Sequence, residues 1–122
     1  MKLLTIIFLF SSLYAFSQEE DIFNAINDQR TRYGLAELIY EYGEQYTVDD
    51  RAREVSSAFQ IRDDCKCDYE TIACNMSIRS IIKQLTNTQQ EYYYFTSEAR
   101  YITIGIYKAN GLYYCVVHTF KE

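Results

Sequence analysis

Residues 102–120 read ITIGIYKANGLYYCVVHTF, and their reading decides the fold. Isoleucine recurs at alternate positions before Asn110-Gly111, and β-branched and aromatic residues follow it. That dipeptide supplies the positive φ angles of a tight two-residue turn, so the stretch predicts a β-hairpin of residues 101–107 and 112–120. The turn then sets the register. Ile102, Ile104 and Ile106 face Thr119, Val117 and Cys115, while Tyr101, Thr103, Gly105 and Tyr107 meet Phe120, His118, Val116 and Tyr114. Both faces are largely apolar or aromatic, which requires cover on both sides.

Helical periodicity supplies that cover. Residues 23–35, FNAINDQRTRYGL, read as an amphipathic helix stopped by Gly34; Ile22, Ile26, Gln29 and Tyr33 share a face, flanked by Phe23 and Arg30. A second stripe runs through Val48, Ala52, Val55 and Phe59, with Thr47 and Asp50 resembling a capping box. A third joins Ile78, Ile81, Ile82 and Leu85, and Ser77 is placed to cap its start. Residues 69–74 form a short β-prone run. Helices on both faces of an antiparallel sheet give an α/β fold, an α-β-α sandwich. With no proline, repeat or low-complexity tract, residues 18–122 read as a single domain.

The first 17 residues carry a different signal. Lys2, the apolar run of residues 3–10 and the small-x-small Ala15-Phe16-Ser17 make a secretory signal peptide cleaved before Gln18. The apolar run falls short of the roughly 20 residues that a membrane-spanning helix needs. No membrane span is expected, and the protein reads as secreted and extracellular. Without Lys2 the chain keeps 11 basic residues against 17 acidic ones. Nucleic acid and anionic membranes reward clustered Lys and Arg, so neither is expected as a partner.

Cys65, Cys67, Cys74 and Cys115 all lie beyond the signal segment. An even count in a small secreted domain reads as two disulfides. Three connectivities are open, and the preferred one joins Cys115 to the Cys65/Cys67 segment and leaves Cys74 the remaining partner. Cys65 and Cys67 would point to opposite faces of a strand, which disfavours a bond between them. The spacing does not suit a zinc site.

The order of these motifs resembles the CAP superfamily, the SCP domain of cysteine-rich secretory, antigen-5 and pathogenesis-related proteins. Asn27-Asp28-Gln29-Arg30 followed by Gly34-Leu35 matches its N-x-x-R helix. Tyr69-Glu70-Thr71-Ile72-Ala73 is similar to its G-E-N-[IL]-A strand, and Ile104-Gly105-Ile106-Tyr107 to its I-G-[IV]-G strand. The resemblance implies an α-β-α sandwich and a polar cleft of two histidines and two glutamates. Of these four, only Glu70 has a match. The histidines should fall near residues 63–67 and at Glu91 or Tyr92, and the second glutamate near Asn87 and Thr88. The single histidine, His118, lies elsewhere. Without imidazole donors the cleft does not suit zinc, so no metal and no cofactor are expected.

Glu70 is the cleft remnant, with a hydrolytic role as general acid or base set against a structural one that orders the sheet through backbone N–H bonds. His118 is expected to bond Thr103 or face a helix rather than act as a base, since no nucleophile lies at a diagnostic spacing. Asp63, Asp64 and Asp68 form a solvated acidic turn rather than a calcium loop. Tyr92, Tyr93, Tyr94 and Phe95 could expose alternate rings as a binding surface or merely cover the third helix. Asn75-Met76-Ser77 is a sequon, making Asn75 a candidate glycosylation site.

These readings converge on a secreted, non-enzymatic CAP/SCP-like protein that binds a partner. Family members occur in host defence, parasite and venom secretions and fertilisation, and some carry sterols or fatty acids. A protein partner is expected first, a small lipid or sterol second. The alternatives are a weak hydrolase using Glu70 and an unrelated disulfide-stabilised inhibitor or effector.

Overall fold

The computed structural model describes residues 17–58, 67–87 and 97–122. In chain order these form helix α1 (Ser17–Arg32), strand β1 (Ile39–Tyr40), a 3-10 turn (Tyr42–Glu44), α2 (Gln45–Ser57), β2 (Tyr69–Asn75), α3 (Ile78–Leu85), β3 (Tyr101–Ala109) and β4 (Leu112–Phe120). The terminal hairpin has the register its sequence implies, Ile104 opposite Val117 and Thr103 opposite His118. Asn110 and Gly111 sit at φ of 54° and 77°, the left-handed region that the turn requires.

The strands form one four-stranded sheet in the order β1-β3-β4-β2. β2 runs antiparallel to β4, setting Glu70 opposite His118 and Ala73 opposite Cys115. The expected antiparallel sheet is corrected at its edge, because β1 pairs parallel to β3 through Ile39 and Tyr40. Two residues are too few to show a periodic pattern, so this strand left no signal in the sequence.

α1 and α3 cover one face. Ile22 and Ile26 pack there with Ile81, Leu85, Ile102, Ile104, Cys115 and Val117. α2 covers the other, where Val48, Ala52 and Val55 meet Val116 with Ile72 and Tyr114 alongside. The fold is thus mixed α/β with helices on both sides of the sheet. At Gly105 the helix comes so close that a Cβ would lie 2.5 Å from the Val48 carbonyl oxygen. Only hydrogen fits there.

α1 ends as predicted. Leu35 N–H donates to the Arg30 carbonyl (2.9 Å) and Gly34 N–H to that of Thr31 (3.0 Å), with Gly34 at φ of 73°. This is a Schellman closure, which favours glycine at the left-handed position. The face of the last turn differs from expectation: Tyr33 is exposed and Arg30 is 1% exposed. Arg30 extends the stripe from Ile22 and Ile26 at four-residue spacing, and the Ala36 and Ala99 carbonyls accept from its guanidinium (2.7 and 3.4 Å). Asn27 makes a two-way bond to the Leu38 backbone, donating at 3.1 Å and accepting at 2.8 Å. The N-x-x-R pair therefore clamps the loop that delivers β1 to the sheet.

The capping details divide. Ser77 caps α3 as expected, accepting from the Ser80 N–H at 3.1 Å. The Thr47–Asp50 capping box does not form, because the 3-10 turn leads directly into α2 at Gln45 and leaves both residues inside the helix. Phe59, assigned to the second stripe, lies outside the described residues.

The disulfide expectation is corrected at two of its four cysteines. Cys74 and Cys115 are free thiols, the first exposed and the second buried. Cys115 stands opposite Ala73 and Cys74 opposite Tyr114, so the two thiols leave opposite faces of the sheet. Burial pushes the Cys115 thiol up to about 12, which removes its thiolate at neutral pH. Cys67 is disulfide-bonded. Cys65 and residues 1–16, all but the last of the expected signal peptide, lie outside the described residues.

Candidate functional site

Glu70 and His118 face each other across neighbouring strands, and both point toward α2. Into that space α2 lowers Arg51, which sits three residues beyond Val48 and one before Ala52, on the buried stripe. Arg51 Nε and Nη2 donate to Glu70 Oε1 at 3.3 and 3.0 Å, and Nε also donates to Oε2 at 3.0 Å. His118 Nε2 lies 2.7 Å from Oε2. Arg51 Nη1 continues the network to Glu54 Oε1 at 2.8 Å. The side chains of Arg51, His118 and Glu70 are 7%, 6% and 12% exposed, so the cluster is nearly withdrawn from water.

Burial alone would raise the Glu70 carboxyl. Hydrogen bonds from His118 and Arg51, together with the Arg51 charge, outweigh it and hold the group at about 2. Glu70 is therefore an ionised acceptor at any ordinary pH, and His118 Nε2 must carry the proton it shares. Such a carboxylate has no proton to give at neutral pH. A divalent cation on Glu70 would have to displace the Arg51 guanidinium, whose positive charge already fills the bidentate position. Among the described residues no three His, Cys, Asp or Glu side chains converge to hold a metal ion.

Two expectations about this cluster change. Glu70 orders the sheet by accepting from two side chains rather than from backbone N–H groups. His118 bonds Glu70 rather than Thr103, whose hydroxyl instead donates to the Glu41 carbonyl at 2.6 Å. Arg51 was missed, although its place on an apolar stripe was a signal: a buried guanidinium demands a buried anion.

The sheet and helices also enclose a cleft of about 570 Å³ at another position, lined by residues that include Glu19, Glu20, Phe23, Tyr40, Tyr42 and Asp49. Tyr40 anchors it. Its hydroxyl accepts from the Ile104 N–H at 3.2 Å and bonds Gln45, whose amide donates to the Ile104 carbonyl at 2.7 Å and to Asp49 at 3.0 Å. Neither Glu70 nor His118 lines this cleft. No periodic pattern announces it, because β1 and the 3-10 turn build one wall.

The remaining candidates fall as follows. Tyr92, Tyr93, Tyr94 and Phe95, proposed as a binding surface, lie outside the described residues, as do Asp63, Asp64, Thr88 and Glu91. Asn75 is half-buried at the end of β2, where its side-chain oxygen accepts from the Met76 N–H at 2.9 Å. Ser77 of the same sequon is engaged as the α3 cap. No described helix is long and apolar enough to cross a membrane. No family model matches the chain, and no curated protein matches it.

Proposed function

We propose that this chain is a secreted, non-enzymatic binding protein on a CAP/SCP-like α-β-α scaffold, with its central polar cluster converted into framework. The observation that carries the reading is the saturation of Glu70: Arg51 and His118 occupy both its oxygens inside a nearly dry space. A glutamate kept for catalysis presents an open oxygen to its substrate, and the engagement of both Glu70 oxygens by Arg51 and His118 supports a framework role instead. The scaffold half of the reading draws support from the Asn27–Arg30 clamp, the glycine stop at Gly34 and the strand bearing Glu70 beside the closing hairpin.

The partner is a protein, or secondarily a small lipid or sterol. Native mass spectrometry of protein purified from a secreting host distinguishes these, and its N-terminal sequence should begin at Gln18. Wild type and Glu70→Gln are to be compared on ester, peptide and glycoside substrates. No turnover is expected from either, with reduced stability in the variant. Turnover by wild type that vanishes in a still-folded Glu70→Gln would defeat the reading.

A further inference from the structure

We infer that the cleft between the beginnings of α1 and α2 and the edge strand β1 binds a small organic cation, an alkylammonium group carried on an apolar body. This deepens the binding reading above by giving a chemical class to one ligand, and it rests on that reading for its biological sense. It does not depend on the family resemblance.

Three rings form the walls. Phe23 meets Tyr40 edge to face, centroids 5.5 Å apart and planes at 89°, and Tyr40 meets Tyr42 at 4.7 Å and 43°. All three rings line the cleft, so a cation entering it comes within reach of aromatic π systems, the contact by which aromatic cages hold ammonium groups. Tyr42 is 77% exposed, so its ring is open to a ligand at the mouth of the cleft.

The charge of the lining has one sign. Glu19, Glu20 and Asp49 contribute carboxylates, and no described lining residue is basic. Each of the two helix N-termini offsets only about half a unit charge, and the α-ammonium freed at Gln18 by the expected cleavage about one more, which still leaves the three carboxylates of the cleft in excess. Burial pushes the Glu19 carboxyl up, and repulsion from Asp49 adds to it; burial raises Asp49 as well. A bound cation relieves both costs. A fatty acid would bring its own carboxylate against three others. A bare metal ion would waste the aromatic walls. The volume lies within the roughly 300–1,000 Å³ usual for small-molecule sites, and apolar walls with a few polar groups favour an organic ion.

Choline and its uncharged isostere 3,3-dimethylbutan-1-ol provide the test, followed by ligand proton NMR against the protein purified from a secreting host. Choline should bind saturably, with its methyl signal moved upfield by the ring faces, and the isostere at least about tenfold more weakly. Tyr42→Ala, at an exposed position, should weaken choline binding about three- to tenfold. Glu19→Gln combined with Asp49→Asn should weaken it by about tenfold or more, with amide spectra verifying the fold of each variant. Absence of a saturable shift, equal binding of the isostere, or indifference to both variants overturns the proposal. Hydrolysis that depends on Glu70 would overturn the proposed function and leave the cleft result standing. A null titration without hydrolysis would do the reverse.

Discussion

Removing the Arg51 guanidinium would leave the Glu70 carboxylate nearly buried with His118 as its remaining ring partner. Stripping one member from a buried pair typically costs about 3–5 kcal/mol, since the other charge stays behind unpaired. Arg51→Ala should therefore lower the urea midpoint sharply. The same network fixes a pH dependence. Glu70 is depressed from 4.5 in its unperturbed state to about 2 in the fold, so its contribution is complete above the unfolded value and is lost as pH falls toward the folded one. Urea unfolding followed between about pH 5 and about pH 2 should show a decline on the order of 2–3 kcal/mol attributable to this group. In Glu70→Gln that part of the decline should be missing. Glu70 itself was legible from its strand, whereas its partners were not, because 48 and 19 residues of chain separate it from His118 and Arg51.

At the scale of elements, two glycines separate space from backbone conformation. An alanine methyl at Gly105 would lie 2.5 Å from the Val48 carbonyl oxygen and 2.9 Å from the Asp49 nitrogen, all main-chain atoms of α2. Main chain does not step aside as a side chain can. Gly105→Ala should cost about 3 kcal/mol through overpacking, and α2 must move off the sheet to admit it. Around Gly34 nothing lies within 4 Å of the same methyl, and only its φ of 73° resists substitution. Gly34→Ala should cost about 1–2 kcal/mol, and chemical denaturation of the two variants should rank them in that order. The hairpin, the glycine stop and the Ser77 cap were readable because each depends on residues a few positions apart. β1 was not readable, since its place is fixed by the Asn27 and Arg30 side chains acting across the following loop.

For the molecule as a whole, the cysteines mark the difference between counting residues and placing them. An even count suggested two cross-links, yet strand register sends Cys74 and Cys115 to opposite faces of one sheet. In the folded protein a thiol reagent should modify Cys74 and spare Cys115, which should react only after denaturant opens the core between the sheet and α1 and α3. Peptide mapping by mass spectrometry reads both sites. Modification of Cys115 at the rate of Cys74 in native buffer would mean that this core is not closed.

The sequence by itself determined the closing hairpin and its register, the glycine stop of α1, the stripe of α3, that of α2 from Val48 to Val55, the Ile22–Ile26 part of that of α1, and the need for helices on both faces. These follow from local backbone preference and from periodicity, which act over a few residues. Tertiary structure alone decided that Arg51 and His118 converge on Glu70, that the sheet gains a parallel edge strand, and that an acidic aromatic cleft opens beside it. Each of those depends on which side chains meet after distant segments pack, and burial, charge and hydrogen-bond partners have no values until they do.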